Sequence, residues 1–444
     1  MADSDMYGIR SAFLDFIDDP FRVAASPSYR FFEDGLLVVS EGKIEAFGSY
    51  QRLRSHYPDI PIISHPHRLI LPGFIDTHIH YPQTEIIASY GEQLLEWLDR
   101  YAFPAEQQFR DPDHARRVAS FFLDELLRNG TTTAVVMTTI FPESATVFFE
   151  EAQRRNMRAI AGLMMMDRNA PEELLDTPQL AYDRNKKLIE TWHNIDRLNY
   201  AITPRFAITS TPEQLEVAGQ LKREYTDAYV HTHLSENCEE LKTVSRLFPE
   251  SRDYLEVYEK FGLAGDRSIF AHCIHLNDSE FRRLSESGAA IAFCPTSNLF
   301  IGSGLFNLEK AKSTSNPIPV GLATDVGGGT SFSMLKTMGT AYQVAQLRGQ
   351  NLSPWQAFYL ATLGAAKALH LDHYIGNFDI GKEADFVVLD WRSTPGMKFR
   401  NPRDEIESPE ELADVLFSLM ILGCDRAVDA TYIAGELAGD RDLG

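Results

Sequence analysis

Leu71-Pro72-Gly73-Phe74-Ile75-Asp76-Thr77-His78-Ile79-His80 is an apolar run that breaks at Pro-Gly, resumes and ends in two histidines one residue apart. Side chains two apart on a β-strand share a face, so His78 and His80 offer two imidazoles to one point in space. A metal ion is the simplest occupant of such a point. A pair of hydrogen-bonded histidines at a strand end has the same spacing, so the dipeptide pattern decides nothing alone.

Short apolar runs begin near residues 70, 131, 158, 199, 228, 268, 289 and 318, with helically spaced segments between them. Asp113 to Arg128 is one such segment: Val118, Phe121, Phe122 and Leu126 form an apolar stripe, Asp113 caps the start and Gly130 follows the end. Strand and helix alternating through these eight runs predict an α/β fold, a (β/α)₈ TIM barrel, whose active site lies at the C-terminal ends of the strands. His78 and His80 close the first run. His231, His233 and then Glu236 follow Ala228-Tyr229-Val230, His272 follows Ser268 to Ala271, and Asp325 follows Pro319 to Thr324. Taken singly, each has an ordinary structural explanation as a core histidine, a surface histidine or a helix cap. Their joint placement at strand ends is hard to ascribe to chance. On spacing, His231 and His233 share a strand face and either serves as a ligand.

The rest of the chain sets bounds. Its 444 residues, 44% hydrophobic, suffice for a large core. With 42 basic against 63 acidic residues the formal charge is -21, which opposes binding to nucleic acid or an anionic membrane and leaves a small free molecule as the expected partner. Four scattered cysteines (Cys238, Cys273, Cys294 and Cys424) contain no Cys-x-x-Cys and read as reduced core or near-core thiols. No signal peptide or membrane span is evident, so a cytoplasmic location is expected. β-rich texture flanks the barrel: Ala12 to Phe16, Asp34 to Ile44 turning at Gly42, Phe386 to Asp390, and Val428 to Leu437 turning at Gly435. Both chain ends are expected to build one small β-sandwich domain, from residues 1–69 and 376–444, around a barrel of residues 70–375.

The stretch Pro72 to His80 resembles the signature of the amidohydrolase superfamily, and Tyr81-Pro82-Gln83 is similar to the guanine deaminases within it. Further stretches resemble the bacterial guanine deaminases: Tyr90 to Leu98, Met165 to Pro171, Thr203-Pro204-Arg205-Phe206, His231 to Asn237, Phe293 to Asn298, and Thr324 to Phe332. The resemblance implies His78, His80, His233 and Asp325 as metal ligands, choosing His233 over His231, with Glu236, His272 and Asp325 acting on water and substrate. It implies one Zn²⁺ per subunit, because Asn199 to Phe206 lacks the lysine that bridges two ions in binuclear relatives; Fe²⁺ shares the ligand preferences. It also implies a homodimer.

The implied reaction is hydrolytic deamination of free guanine to xanthine and ammonia in purine catabolism or salvage. A metal-activated hydroxide attacks C2 while Glu236 protonates N3. Gln83 and Arg205 would bind the O6 and N7 acceptors, Phe206 would pack on a ring face, and His233 and Glu236 would also face the base. A 6-amino group would meet Arg205 donor to donor. The segment from Tyr90 to Phe109 would cover the site. A deaminase of the cytidine type requires Pro-Cys-x-x-Cys, which is absent. A non-catalytic scaffold would be expected to have lost a ligand or the proton-transfer carboxylate, and all are present. The alternative within the superfamily is another aminated heterocycle such as a triazine, pterin or cytosine.

Overall fold

The computed structural model describes residues 6–22, 28–91 and 93–440. Its strands, in chain order, are β1 (Tyr7–Phe16), β2 (Tyr29–Ser40), β3 (Lys43–Ser49), β4 (Ile62–Pro72), β5 (Phe74–His80), β6 (Thr131–Met137), β7 (Arg158–Gly162), β8 (Met164–Met165), β9 (Leu198–Pro204), β10 (Tyr229–Leu234), β11 (Ser268–His272), β12 (Ala290–Phe293), β13 (Val320–Leu322), β14 (Phe386–Leu389), β15 (Val428–Ile433) and β16 (Glu436–Asp440). Strands β5, β6, β7, β9, β10, β11, β12 and β13 are parallel neighbours in that order, and the two-residue β8 pairs with β9. These are the eight runs expected of the barrel. The two chain ends meet in one mixed sheet of seven strands, ordered β16-β15-β14-β4-β1-β2-β3.

The opening stretch is shared between the two units. Leu69 to Pro72 pair with Phe386 to Leu389 of β14, so the first barrel strand begins only at Phe74. Gly73 is the joint: its N–H donates to Asp385 O at 3.0 Å, and a Cβ here would sit 2.1 Å from Thr132 Oγ1. Only the absence of a side chain lets the chain pass from sheet to barrel so close to β6.

Ridge alternation along β5 is interrupted, and the interruption aims the histidines. Ile75 packs in the barrel interior, whereas Ile79, of the same parity, packs in the outer layer against the helices. Between them the register against β6 slips by one residue. A one-residue bulge exchanges the two faces of a strand, which turns His78 and His80 inward. Below them the interior is closed by apolar side chains of the strands and by the helix Leu363–Ala368, and Tyr229 Oη donates to Leu369 O at 2.6 Å.

The ends of the barrel sheet meet between β5 and the segment after β13. Asp325 N donates to His78 O (3.0 Å), His80 N to Val326 O (2.9 Å) and Thr77 Oγ1 to Leu322 O (3.0 Å). Asp76, fully buried, accepts from Thr324 N at 3.1 Å and from the Thr324 hydroxyl.

Three details differ from the sequence reading. The helix is Pro112–Arg128, and its cap is Asp111, whose side chain accepts from Asp113 N; Pro112 occupies the first helical position and moves the cap back two residues. Phe121 is 54% exposed, because the buried arc runs through Ala115, Ala119, Phe122 and Leu126 and Phe121 lies roughly 150° around the helix from its middle. Cys273 and Cys294 are buried and Cys424 partly so, but Cys238 is exposed on the first turn of the helix Cys238–Leu247. Among the described residues no helix is long and apolar enough to cross a membrane.

Placing a methyl group at the joint tests this account. Gly73→Ala should lower stability by about 1–3 kcal/mol through overpacking against the buried Thr132, read from the urea midpoint at unchanged m-value.

Candidate active site

Four strand ends deliver the expected groups to one place. On β10, Tyr229 points into the barrel, so His231 and His233 follow it inward by plain alternation. His272 and Asp325 stand where the backbone leaves β11 and β13 with φ of 72° and 52°. Ser235, two residues past His233, and Cys273 are left-handed as well, at φ 52° each. Such conformations in non-glycine residues cost about 1–3 kcal/mol each and persist where surrounding structure imposes them.

The nitrogens and oxygens that converge have the spacing of a ligand shell. His78 Nε2, buried and without a hydrogen bond, lies 3.1 Å from Asp325 Oδ1; His80 Nε2 lies 3.5 Å from the same oxygen and 3.3 Å from His233 Nε2. Donors on a tetrahedron with bonds of about 2.0–2.1 Å are roughly 3.3 Å apart, which these three separations match; His78, His80 and His233 lie close enough to hold one metal ion, as do His78 and Asp325 with His272 and Cys294. The far side of two of the rings is tied down as a metal ligand's is: His233 Nδ1 is 2.7 Å from Arg205 O and His78 Nδ1 is 2.7 Å from His231 Nε2, whereas His80 Nδ1 is buried without a hydrogen bond among the described residues. His231 therefore stands behind His78 and orients its ring, which spacing alone left open.

Electrostatics suit the same role. Burial, with His78 close by, holds His80, His231 and His233 well below the usual histidine range, in the neutral form that offers a lone pair. Burial pushes the Asp325 carboxyl up, but His78, His272 and a bond from Ser297 together outweigh it and the net shift is downward, towards the carboxylate.

Beside these donors stand Glu236 and His272, with Glu236 Oε2 3.4 Å from His272 Nε2. Burial first, then the charge of Asp325, pushes the Glu236 carboxyl up to about 8. Its other oxygen accepts from Ser303 Oγ at 3.2 Å, and its backbone N–H donates to Glu240 Oε2 at 2.8 Å. His272 Nδ1 is 2.8 Å from Asn298 Oδ1, leaving Nε2 towards the site, 3.7 Å from Asp325 Oδ2.

Across a cavity of about 30 Å³ lie Gln83, Arg205 and Phe206. Arg205 is buried and donates through Nη1 to both oxygens of Glu106, at 2.7 and 2.6 Å; Gln83 Nε2 donates to Glu106 Oε1 at 3.1 Å. Glu106 had no signature in the sequence, since a carboxylate in a helical segment reads as solvated surface. Leu94, Trp97 and Leu98 close the cavity from the segment expected to cover it, which runs in short helical turns Leu94–Trp97, Leu98–Ala102 and Phe103–Gln107. Glu92 of that segment lies outside the described residues.

The model of the amidohydrolase family matches residues 69–438. Guanine deaminase of Escherichia coli strain K12 is 51% identical over 438 residues, covering 98% of each chain. The chain belongs to the amidohydrolase family, in its guanine deaminase branch. Two solved structures extend the likeness to three dimensions. Guanine deaminase from Bradyrhizobium japonicum matches with a TM-score of 0.95 at 42% identity, over 98% of this chain and all of that one. Guanine deaminase from C. acetobutylicum with bound guanine in the active site matches with a TM-score of 0.87 at 27% identity, over the same shares.

Within this amidohydrolase site the two β10 histidines separate by metal affinity. His233→Ala removes a donor and should abolish most bound metal after desalting, measured by atomic emission. His231→Ala should bind metal roughly 10–100-fold more weakly, by competition with a chelator, because it removes only the group that orients His78. Equal affinities in the two variants would contradict this division.

Proposed function

We propose that this chain hydrolyses free guanine to xanthine and ammonia. The observation that carries the reading is one cavity with His80, His233, Asp325 and a protonatable Glu236 on one side and an arginine, an amide and an aromatic ring on the other. The relatives named guanine deaminase support it, as does the guanine held by the C. acetobutylicum structure. His78, His80, His233 and Asp325 would hold Zn²⁺, since three imidazoles and one carboxylate suit that ion, with Fe²⁺ next in preference. When bound, the ion supplies Lewis-acid activation of water, bringing its pKa from 15.7 to about 7.

The chain's own groups do the rest. Arg205 donates to an acceptor on the purine edge and Gln83 presents its amide beside it, while Phe206 bounds the cavity next to His233, its ring centre 6.3 Å from that imidazole. Asp325 takes a proton from the attacking water, with His272 holding that water towards C2. Glu236, largely protonated near neutrality, gives its proton to N3 as C2 becomes tetrahedral. It regains a proton from the water by way of Asp325 and passes it to the exocyclic amine, which leaves as ammonia; the C2 hydroxyl then gives its remaining proton to Glu236, restoring the acid as the C2 oxygen becomes the second carbonyl of xanthine. The cover of Leu94, Trp97 and Leu98 excludes bulk water. One ion per subunit, a homodimer and a cytoplasmic location complete this reading.

Glu236→Gln keeps shape but carries no transferable acid proton. Ammonia release from guanine should fall by at least about 10²-fold with metal content unchanged; near-normal turnover would remove Glu236 from the mechanism. Arg205→Leu should cost kcat/KM for guanine roughly 1–3 kcal/mol and weaken inhibition by hypoxanthine in parallel. In a panel of free bases, preference for cytosine or a triazine over guanine would overturn the assignment.

A further inference from the structure

Glu106 is a buried carboxylate that neither the metal centre nor the proton transfers use. It descends from the helix Phe103–Gln107 in the cover, and its side-chain bonds go to the two polar groups that face the base: Gln83, just past the end of β5, and Arg205, just past β9. Arg205 has no other ion-pair partner among the described residues, and its guanidinium is further seated 5.3 Å from the centre of the Phe103 ring.

We propose that Glu106 is a positioning residue that sets discrimination at purine position 6 by fixing which atoms Gln83 and Arg205 turn to the substrate. This rests on the guanine reading above. A carboxylate paired with a guanidinium only accepts hydrogen bonds. Facing it, Gln83 must present Nε2, which leaves Oε1 towards Gly327 N at 3.4 Å. The amide therefore has one orientation rather than two. Arg205, anchored through Nη1 to both carboxylate oxygens, keeps its remaining donors on a fixed line. A polar edge that cannot turn over rejects a ligand whose donor and acceptor are exchanged. A neutral amide at position 106 both donates and accepts. Gln83 would then be held in its orientation only by the long 3.4 Å bond from Gly327 N, and Arg205 would lose its counter-charge, so the edge would adapt more readily to either pattern.

The test is the ratio of kcat/KM for guanine to that for 2,6-diaminopurine. Both carry the 2-amino leaving group; at position 6 one has an acceptor oxygen and the other a donor amine. Glu106→Gln is expected to lower the ratio at least about tenfold, and Glu106→Asp, still acceptor-only, to keep it within about threefold of the parent. Metal content and Tm serve as controls for a merely structural effect. An unchanged ratio in Glu106→Gln, or an equal loss in Glu106→Asp, overturns the proposal. If Glu106→Gln alone does not fold, it is made together with Arg205→Met, which removes the stranded charge, and compared with Arg205→Met. A further fall in the ratio supports the freed amide of Gln83, and no difference overturns it. A parent inactive on guanine would sink the guanine reading itself; a parent active on guanine and indifferent to Glu106→Gln sinks only this inference.

Discussion

Everything at the site depends on the seam where the barrel closes. His78 and His80 lie at the end of the first barrel strand and Asp325 lies beyond the last, some 245 residues later, and these groups meet only because β5 and the β13 segment are bonded edge to edge. The carboxylate of Asp76 is the tightest stitch. It accepts from both the N–H and the hydroxyl of Thr324 and from His78 N at 3.2 Å, so it holds a ligand's backbone and the approach to Asp325 at once. Burial pushes its carboxyl up to about 7, a shift that the Thr324 and His78 bonds oppose.

The site divides its charge between two ends. At one, neutral imidazoles and the Asp325 carboxylate form a cradle that a divalent cation would complete. At the other, the cation of Arg205 is matched by Glu106, so the recognition edge is close to neutral while still presenting donors. Without Glu106 a bound cation and Arg205 would face each other across a small cavity lined by buried side chains, an arrangement costly at low effective dielectric. Between the ends stands Glu236, pushed towards its neutral form by the burial that surrounds it. The same desolvation thus prepares the ligands, the proton donor and the recognition pair.

Rigid strands carry the ligands, and irregular backbone does the aiming. A bulge in β5 turns two histidines inward; left-handed residues at Ser235, His272, Cys273 and Asp325 bend the chain as it leaves three other strands. The cover, by contrast, is a run of short helical turns tied down by Trp97, Leu98 and the Glu106 pair. The polar groups across the cavity therefore come from the loops, and the clustered histidines from strand ends, the division typical of barrels of this kind.

The amino-acid sequence by itself determined the alternation of strand and helix, the placement of His78, His80, His233, Glu236, His272 and Asp325 at strand ends, and the polar pair Gln83 and Arg205, because these rest on local period and on short motifs. Tertiary structure alone decided what those groups touch. The family resemblance already prefers His233 to His231, but that His231 Nε2 backs His78 while His233 Nε2 meets His80 depends on which ring nitrogens cross the barrel to meet, a relation between β5 and β10 that neither strand encodes. Phe121 is exposed because the core lies on one particular side of its helix, and the helix pattern alone admitted a wider arc. Glu106 was illegible for the deepest reason: an acidic residue in a helical stretch is solvated by default, and only the docking of the cover onto the barrel, bringing Gln83 and Arg205 to it, makes burial of that carboxylate tolerable.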